Sequence, residues 1–116
     1  MVSLYDLILG EAEVPADLDR TFLLDLHTAL LTRAEAHSAY DTAKRALDAS
    51  VIIARAERAA RRQDDPGAIT EPLRMAVKAV IAGLQDEYKP QQEIDRDFKR
   101  ANAWLDNANM QLNHQS

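Results

Sequence analysis

The sequence predicts an all-α protein: a long antiparallel helical hairpin, coiled-coil-like, preceded by a short helix. Three observations predict it. Only three glycines and four prolines punctuate 116 residues, whereas 20 residues are alanine. A chain rich in Ala, Leu, Arg, Glu, Asp and Gln favours helix over sheet. Apolar residues recur at alternating spacings of four and three through both halves of the chain, the period of a helix that buries one stripe. The strongest turn signal, DDPG at 64–67, stands between the halves, with Asp ahead of Pro and then Gly. At this length a single helical domain over 1–116 is expected.

Each element follows from local chemistry. Ser3 and Asp6 have the spacing of a capping box, and Leu4, Leu7 and Ile8 give one apolar side to a short helix over 3–10, ended by Gly10. Residues 11–15 form a connector, and Asp17 is the expected N-cap of the next helix. Nothing breaks the helix from Leu18 to Arg62, so one long helix is expected over 17–63. Its seam runs Phe22, Leu26, Ala29, Arg33, Ala36, Tyr40, Ala43, Leu47, Ser50 and Ala54, widened by Leu23, Leu30 and Val51. Such a rod would be roughly 65–70 Å long at 1.5 Å per residue.

Thr70, Glu71 and Pro72 mark a fresh start, and a second long helix is expected over 70–113. Leu73, Val77, Val80 and Leu84 share a heptad frame with Ile94, Phe98, Ala101, Leu105, Ala108 and Leu112. Because the phase survives across Pro90, a kink is preferred there, with a break over 86–90 as the alternative. Folding the two helices back at DDPG sets Ile94 and Phe98 near residues 34–40 and Leu105 near Leu26. Alanine buries little apolar area, at about 25 cal/mol per Å². Two alanine-rich helices therefore need further cover, and a homo-oligomer is predicted. The amide-rich NANMQLNHQS reads as the fraying end of the last helix.

Charge and composition narrow the chemistry. The net charge is −5, which argues against a general nucleic-acid coating protein. There is no cysteine, which excludes disulfides, thiolate metal sites and a cysteine nucleophile. No apolar run is long enough to span a bilayer, and MVSLYDLIL lacks the basic start of a secretory leader. A soluble cytoplasmic protein without membrane partners is expected. His27 and His37 lie three turns apart on the predicted helix and His114 near the end, so no shared metal site is expected. Carboxylates fall beside cations at helical spacing (Asp41 with Lys44 and Arg45, Glu57 with Arg61, Asp95 with Lys99), which is ordinary helix support. With no phosphate loop and no nucleophile elbow, neither an enzyme nor a cofactor is expected.

One stretch stands apart. Residues 55–62, RAERAARR, hold four arginines and one glutamate, +3 in eight residues. Cations in the last turns complement the negative end of a helix, which accounts for one or two of them. Arg55, Arg58 and Arg62 share a stripe, with Lys44 three turns back near the same side, and guanidinium groups in a row suit phosphate oxygens. Lys44, Arg55, Arg58, Arg61 and Arg62 are therefore the candidate nucleic-acid contacts, through backbone rather than base stacking, since no aromatic is interleaved. A second basic group, Arg96, Lys99 and Arg100, lies near Phe98 and Trp104 but is balanced by Asp95, Asp97 and Asp106. As anchors for a protein partner, Tyr88, Phe98, Trp104 and Met110 are the candidates.

The segment AVKAVIAGLQDEYKPQQEIDRDFKRANAWLDNANMQL, together with DLDRTFLLDLHTALLTRAEAHSAY, resembles small helical phage proteins of the UvsY-type recombination-mediator group over about two thirds of the chain. Shared are a Val/Ala-rich helix leading through an acidic residue and a tyrosine into a Gln/Glu/Lys heptad helix, and a Leu-rich first helix with a His…Tyr spacing. Where such proteins carry a basic segment with paired tyrosines, this chain has ALDASVIIARAERAARRQDD, basic but without aromatics. The resemblance implies an oligomeric accessory that loads a recombinase or annealing protein on single-stranded DNA, in a host cytoplasm if phage-encoded. Arg55, Arg58, Arg61 and Arg62 are all that it carries over. The alternative function is a helical interaction module, an adaptor or inhibitor, that docks on a partner protein without binding DNA.

Overall fold

The computed structural model describes residues 18–62, 69–85 and 88–114, with side chains as far as Gln111. Among them are four helices and no strand: α1 (Arg20–Ala36), α2 (Tyr40–Arg61), α3 (Glu71–Leu84) and α4 (Gln91–His114). The expected short helix at 3–10 and the DDPG turn lie outside the described residues.

Helix α1 starts two residues later than expected. Asp19, not Asp17, is the N-cap, its carboxylate accepting from the Phe22 amide at 2.8 Å. Leu18 before the cap and Leu23 on the first turn are both buried in the core, the positions of a hydrophobic staple that sets the entry angle of the chain.

The predicted single helix over 17–63 is two helices. The chain leaves the helix at His37, whose backbone is extended and whose N–H donates to the Arg33 carbonyl, and re-enters it after Ala39. No glycine or proline causes this break. From Leu31 to Lys44 no residue is fully buried, so a break in this stretch interrupts none of the core. Folding back lays Leu18, Leu23, Leu26 and Leu30 against the α2 core residues Ala49, Ile52, Ile53, Ala56 and Ala60, in one apolar cluster. Burial of that area outweighs a few backbone hydrogen bonds that water replaces at an exposed turn.

The second half is likewise two helices, as in the alternative expected for Pro90, rather than the preferred single kinked helix. Helix α3 starts after Thr70 as expected, with Pro72 in its first turn, although the Thr70 hydroxyl makes no capping hydrogen bond. Helix α3 ends at Leu84, and α4 begins after Pro90, whose carbonyl accepts from Glu93 and Ile94. A proline cannot donate to the preceding turn but costs nothing at a helix start. The two helices pack face to face, and Gly83 makes the close approach possible: a Cβ there would stand 3.0 Å from Phe98 Cε1.

Helix α2 packs against each of the other three. Its core seam is Ala46, Ala49, Ile53, Ala56 and Ala60, all fully buried; small side chains let neighbouring backbones come close from several directions. The relation between α2 and α4 differs from the predicted pairing. Arg45 reaches Gln91 and the Lys89 carbonyl, whereas Arg55 reaches Asn102 and Asp106. Both helices therefore advance together, and α4 lies parallel to α2. Phe98 sits beside Asp48, Val51 and Ile52 rather than near residues 34–40. The molecule measures 44 × 30 × 22 Å, far shorter than the predicted rod.

Candidate interaction surface

Among the described residues, three helices cover α2 on one side. Its opposite side carries a second seam, Tyr40, Lys44, Leu47, Val51, Ala54 and Arg58, again at spacings of four and three. Tyr40 is 76% exposed, Leu47 50% and Val51 55%, although apolar side chains of this size are ordinarily buried. Two grooves flank the seam. One, of about 400 Å³, is lined by Leu31, Ala34 and Glu35 of α1 with Tyr40, Ala43, Lys44 and Leu47. The other, of about 460 Å³, lies between α2 and α4, with Val51, Ile52 and Phe98 along its floor and Asp48, Arg55, Asp95 and Lys99 at its edges.

The predicted basic cluster is distributed rather than gathered. Arg55 turns toward α4, where it donates to Asn102 and pairs with Asp106 at 2.9 Å. Arg61 pairs with Glu57 at 3.0 Å, as the helical spacing predicts. Glu57 is itself buried and also accepts from Arg20 of α1 at 2.6 Å. Lys44 bonds Asp48 at 2.9 Å, one turn on, rather than Asp41. That hydrogen bond, reinforced by the Asp48 charge, raises the Lys44 ammonium above its ordinary value of 10.5. Arg58 and Arg62 remain exposed at the end of α2, and Arg58 forms no ion pair with a described residue. A cation held by a carboxylate must give up that partner before it meets a phosphate. Lys44, Arg55 and Arg61 start from this position.

The predicted anchors are also separated. Phe98 is 6% exposed and belongs to the core, and Trp104 packs partly buried against the same cluster. Tyr88 and Met110 are exposed, but Tyr88 precedes α4, whereas Met110 stands 19 residues beyond the Gln91 start of that helix, about 28 Å along it. The sequence places Leu47 and Val51 on the inner seam. They face outward because the Ala/Ile seam, also at spacings of three and four, is the one the fold covers. The signal is present in the sequence as two heptad stripes on opposite sides of one helix.

Arg45, a surface cation by its sequence spacing, is buried. It donates through Nε to Gln91 Oε1 at 3.1 Å and through Nη2 to the Lys89 carbonyl at 2.5 Å, which ties the start of α4 to the first turns of α2. Among the described residues no three His, Asp or Glu side chains are grouped to hold a metal ion, and no helix is long and apolar enough to cross a membrane. Comparison with protein-family models, curated proteins and solved structures finds no match to this chain.

Proposed function

We propose that this protein is a non-enzymatic helical interaction module that docks through the open face of α2. The observation that carries this reading is the exposure of Tyr40, Leu47 and Val51 on one seam between two grooves. Apolar side chains aligned along a helix face, with recesses beside them, suit a partner helix laid in the groove. Charged groups at the groove edges supply the polar rim that such interfaces have. Two of the four arginines that would compete as a phosphate-binding site, Arg55 and Arg61, are engaged within the fold.

The test is a photo-crosslinking amino acid placed at Val51 in the cell, with the exposed Lys78 of α3 as the control position. A discrete protein adduct is expected from position 51, absent from 78, and lost when Leu47→Glu is added. No adduct from 51, or the same adducts from both positions, would sink the reading.

A second reading, a recombination accessory that acts on single-stranded DNA or on a DNA-bound recombination protein, is favoured by one observation: Arg58 and Arg62 are exposed together at the end of α2. Phosphate contacts release counterions, so the affinity would fall steeply with salt. Anisotropy of a labelled single-stranded oligonucleotide at low and at physiological salt separates the two readings. Salt-sensitive binding lost in Arg58→Ala/Arg62→Ala supports the accessory; no binding at low salt removes direct DNA contact.

A further inference from the structure

We infer that the partner on the open face of α2 is a second copy of this chain, bound antiparallel about a two-fold axis that passes Ala49. The inference rests on the reading of that face as a docking surface and names its occupant. Its warrant is the order of the outward residues. Leu47 and Val51 are equidistant from Ala49, as are Lys44 and Ala54, and Tyr40 and Arg58. All six lie on the outward seam, whereas Ala49 itself is buried on the opposite side. A two-fold operation on this seam therefore returns the same seam, which an isologous interface requires.

The residues so matched are complementary. Leu47 meets Val51 of the partner subunit, aliphatic on aliphatic, twice at the centre. Ala54 leaves room for the stem of the partner's Lys44, whose charged end is already held at the rim by Asp48. At each end Arg58 lies over the ring of the partner's Tyr40, a favoured cation–aromatic contact. Charge follows the same plan. Exposed Glu35 and Asp41 lie at the Tyr40 end, and exposed Arg58 and Arg61 at the other. Antiparallel pairing thus sets acidic against basic at both ends, whereas parallel pairing would set like against like. Spacings of four and three match the shallow crossing of coiled coils, and the matched stretch from 40 to 58 is about 27 Å long. Partial burial of the seam on its own fold leaves the flanking grooves to receive the partner's side chains.

Sedimentation equilibrium on the purified chain measures the association. A dimer is expected at about 100 µM protein, the range of a modest helix-pair interface. Leu47→Glu is expected to weaken it about a hundredfold, because a carboxylate would be buried at the axis twice. Tyr40→Ala and Arg58→Ala are each expected to weaken it about tenfold, and the double variant no more than either alone. These side chains are exposed in the monomer, so circular dichroism of each variant should match the wild type. The chain has no cysteine, so single thiols report the register. Leu47→Cys and Val51→Cys proteins, mixed and oxidised, are expected to form the mixed disulfide in preference to either homodisulfide.

A monomer at that concentration overturns the inference, and so does a dimer indifferent to Leu47→Glu or a preference for homodisulfides. A monomeric chain that still gives an adduct of another mass from position 51 in the cell removes self-pairing and keeps the docking face. No adduct from position 51 removes both.

Discussion

Arg20 and Glu57, 37 residues apart in the chain, meet at 2.6 Å. The contact joins the first turn of α1 to the last turns of α2, and it is what an antiparallel hairpin requires at its open end. Glu57 is buried and also accepts from Arg61, so one carboxylate is shared by two guanidinium groups that remain near half exposed.

The first prediction concerns that carboxylate. Glu57→Gln keeps the shape and removes the charge, and is expected to cost about 1–3 kcal/mol, the range of hydrogen bonds to charged groups. Arg20→Ala should cost less, since its own side chain is 43% exposed and Arg61 still pairs with Glu57. Urea unfolding of the three proteins gives both values. A Glu57→Gln midpoint equal to wild type would mean that the clasp contributes nothing and that apolar burial alone closes the hairpin.

The second concerns Gly83. Alanine is favoured over glycine in a helix by about 1 kcal/mol, so a surface glycine in α3 would gain from the exchange. At Gly83 the new Cβ would stand 3.0 Å from the Phe98 ring, which is packed in the core and cannot retreat into solvent. Gly83→Ala is therefore expected to destabilise by about 1–3 kcal/mol, as overpacking does. The paired variant Gly83→Ala/Phe98→Leu should recover part of the loss. A stabilised Gly83→Ala protein would show that α3 and α4 stand further apart.

The third concerns pH. The hydrogen bond to Asp48 and the charge behind it raise the Lys44 ammonium above 10.5. A group whose folded value lies above its unfolded one stabilises fully below the unfolded value and loses that contribution as pH rises through the folded value. The effect therefore shows only in alkali, above about pH 10, and neutral stability is indifferent to it. Carbon-detected NMR of the lysine side chains should find Lys44 titrating at higher pH in the wild type than in Asp48→Asn. Equal titration in both proteins would remove the bond from the account.

Much of the fold was legible because helix formation is local. The scarcity of Gly and Pro, the Leu73–Val77–Val80–Leu84 spacing and the Thr70–Glu71–Pro72 start are properties of a few adjacent residues, and each appears where the sequence places it. The same locality explains the errors. A break is announced in sequence by glycine or proline, and the turn at His37–Ala39 has neither. Where α1 ends is set by the core on either side of residues 31–44, none of which is fully buried, a property of the whole chain. Pro90 was visible, but whether it kinks or separates two helices depends on whether α3 can lie against α4. That is settled by a missing Cβ at Gly83 against the Phe98 ring.

The candidate site divides in the same way. Two heptad stripes on α2, one of Ala and Ile and one running from Tyr40 to Arg58, are written in the sequence, and so is the symmetry of the second about Ala49. Which stripe faces inward is not. Alanine and isoleucine win because three helices converge on α2 and only small side chains admit them all, and the larger Tyr40, Leu47 and Val51 are left outside. The charges follow the packing. Four arginines in eight residues look alike in sequence, yet the parallel course of α2 and α4 gives Arg55 to Asp106, the hairpin adds Arg20 to the Glu57 that Arg61 already meets along the helix, and Arg58 is left facing water. Composition and spacing determined that the chain would be helical. Close packing, which depends on residues far apart meeting, decided how the helices fold back and which of their faces remain open.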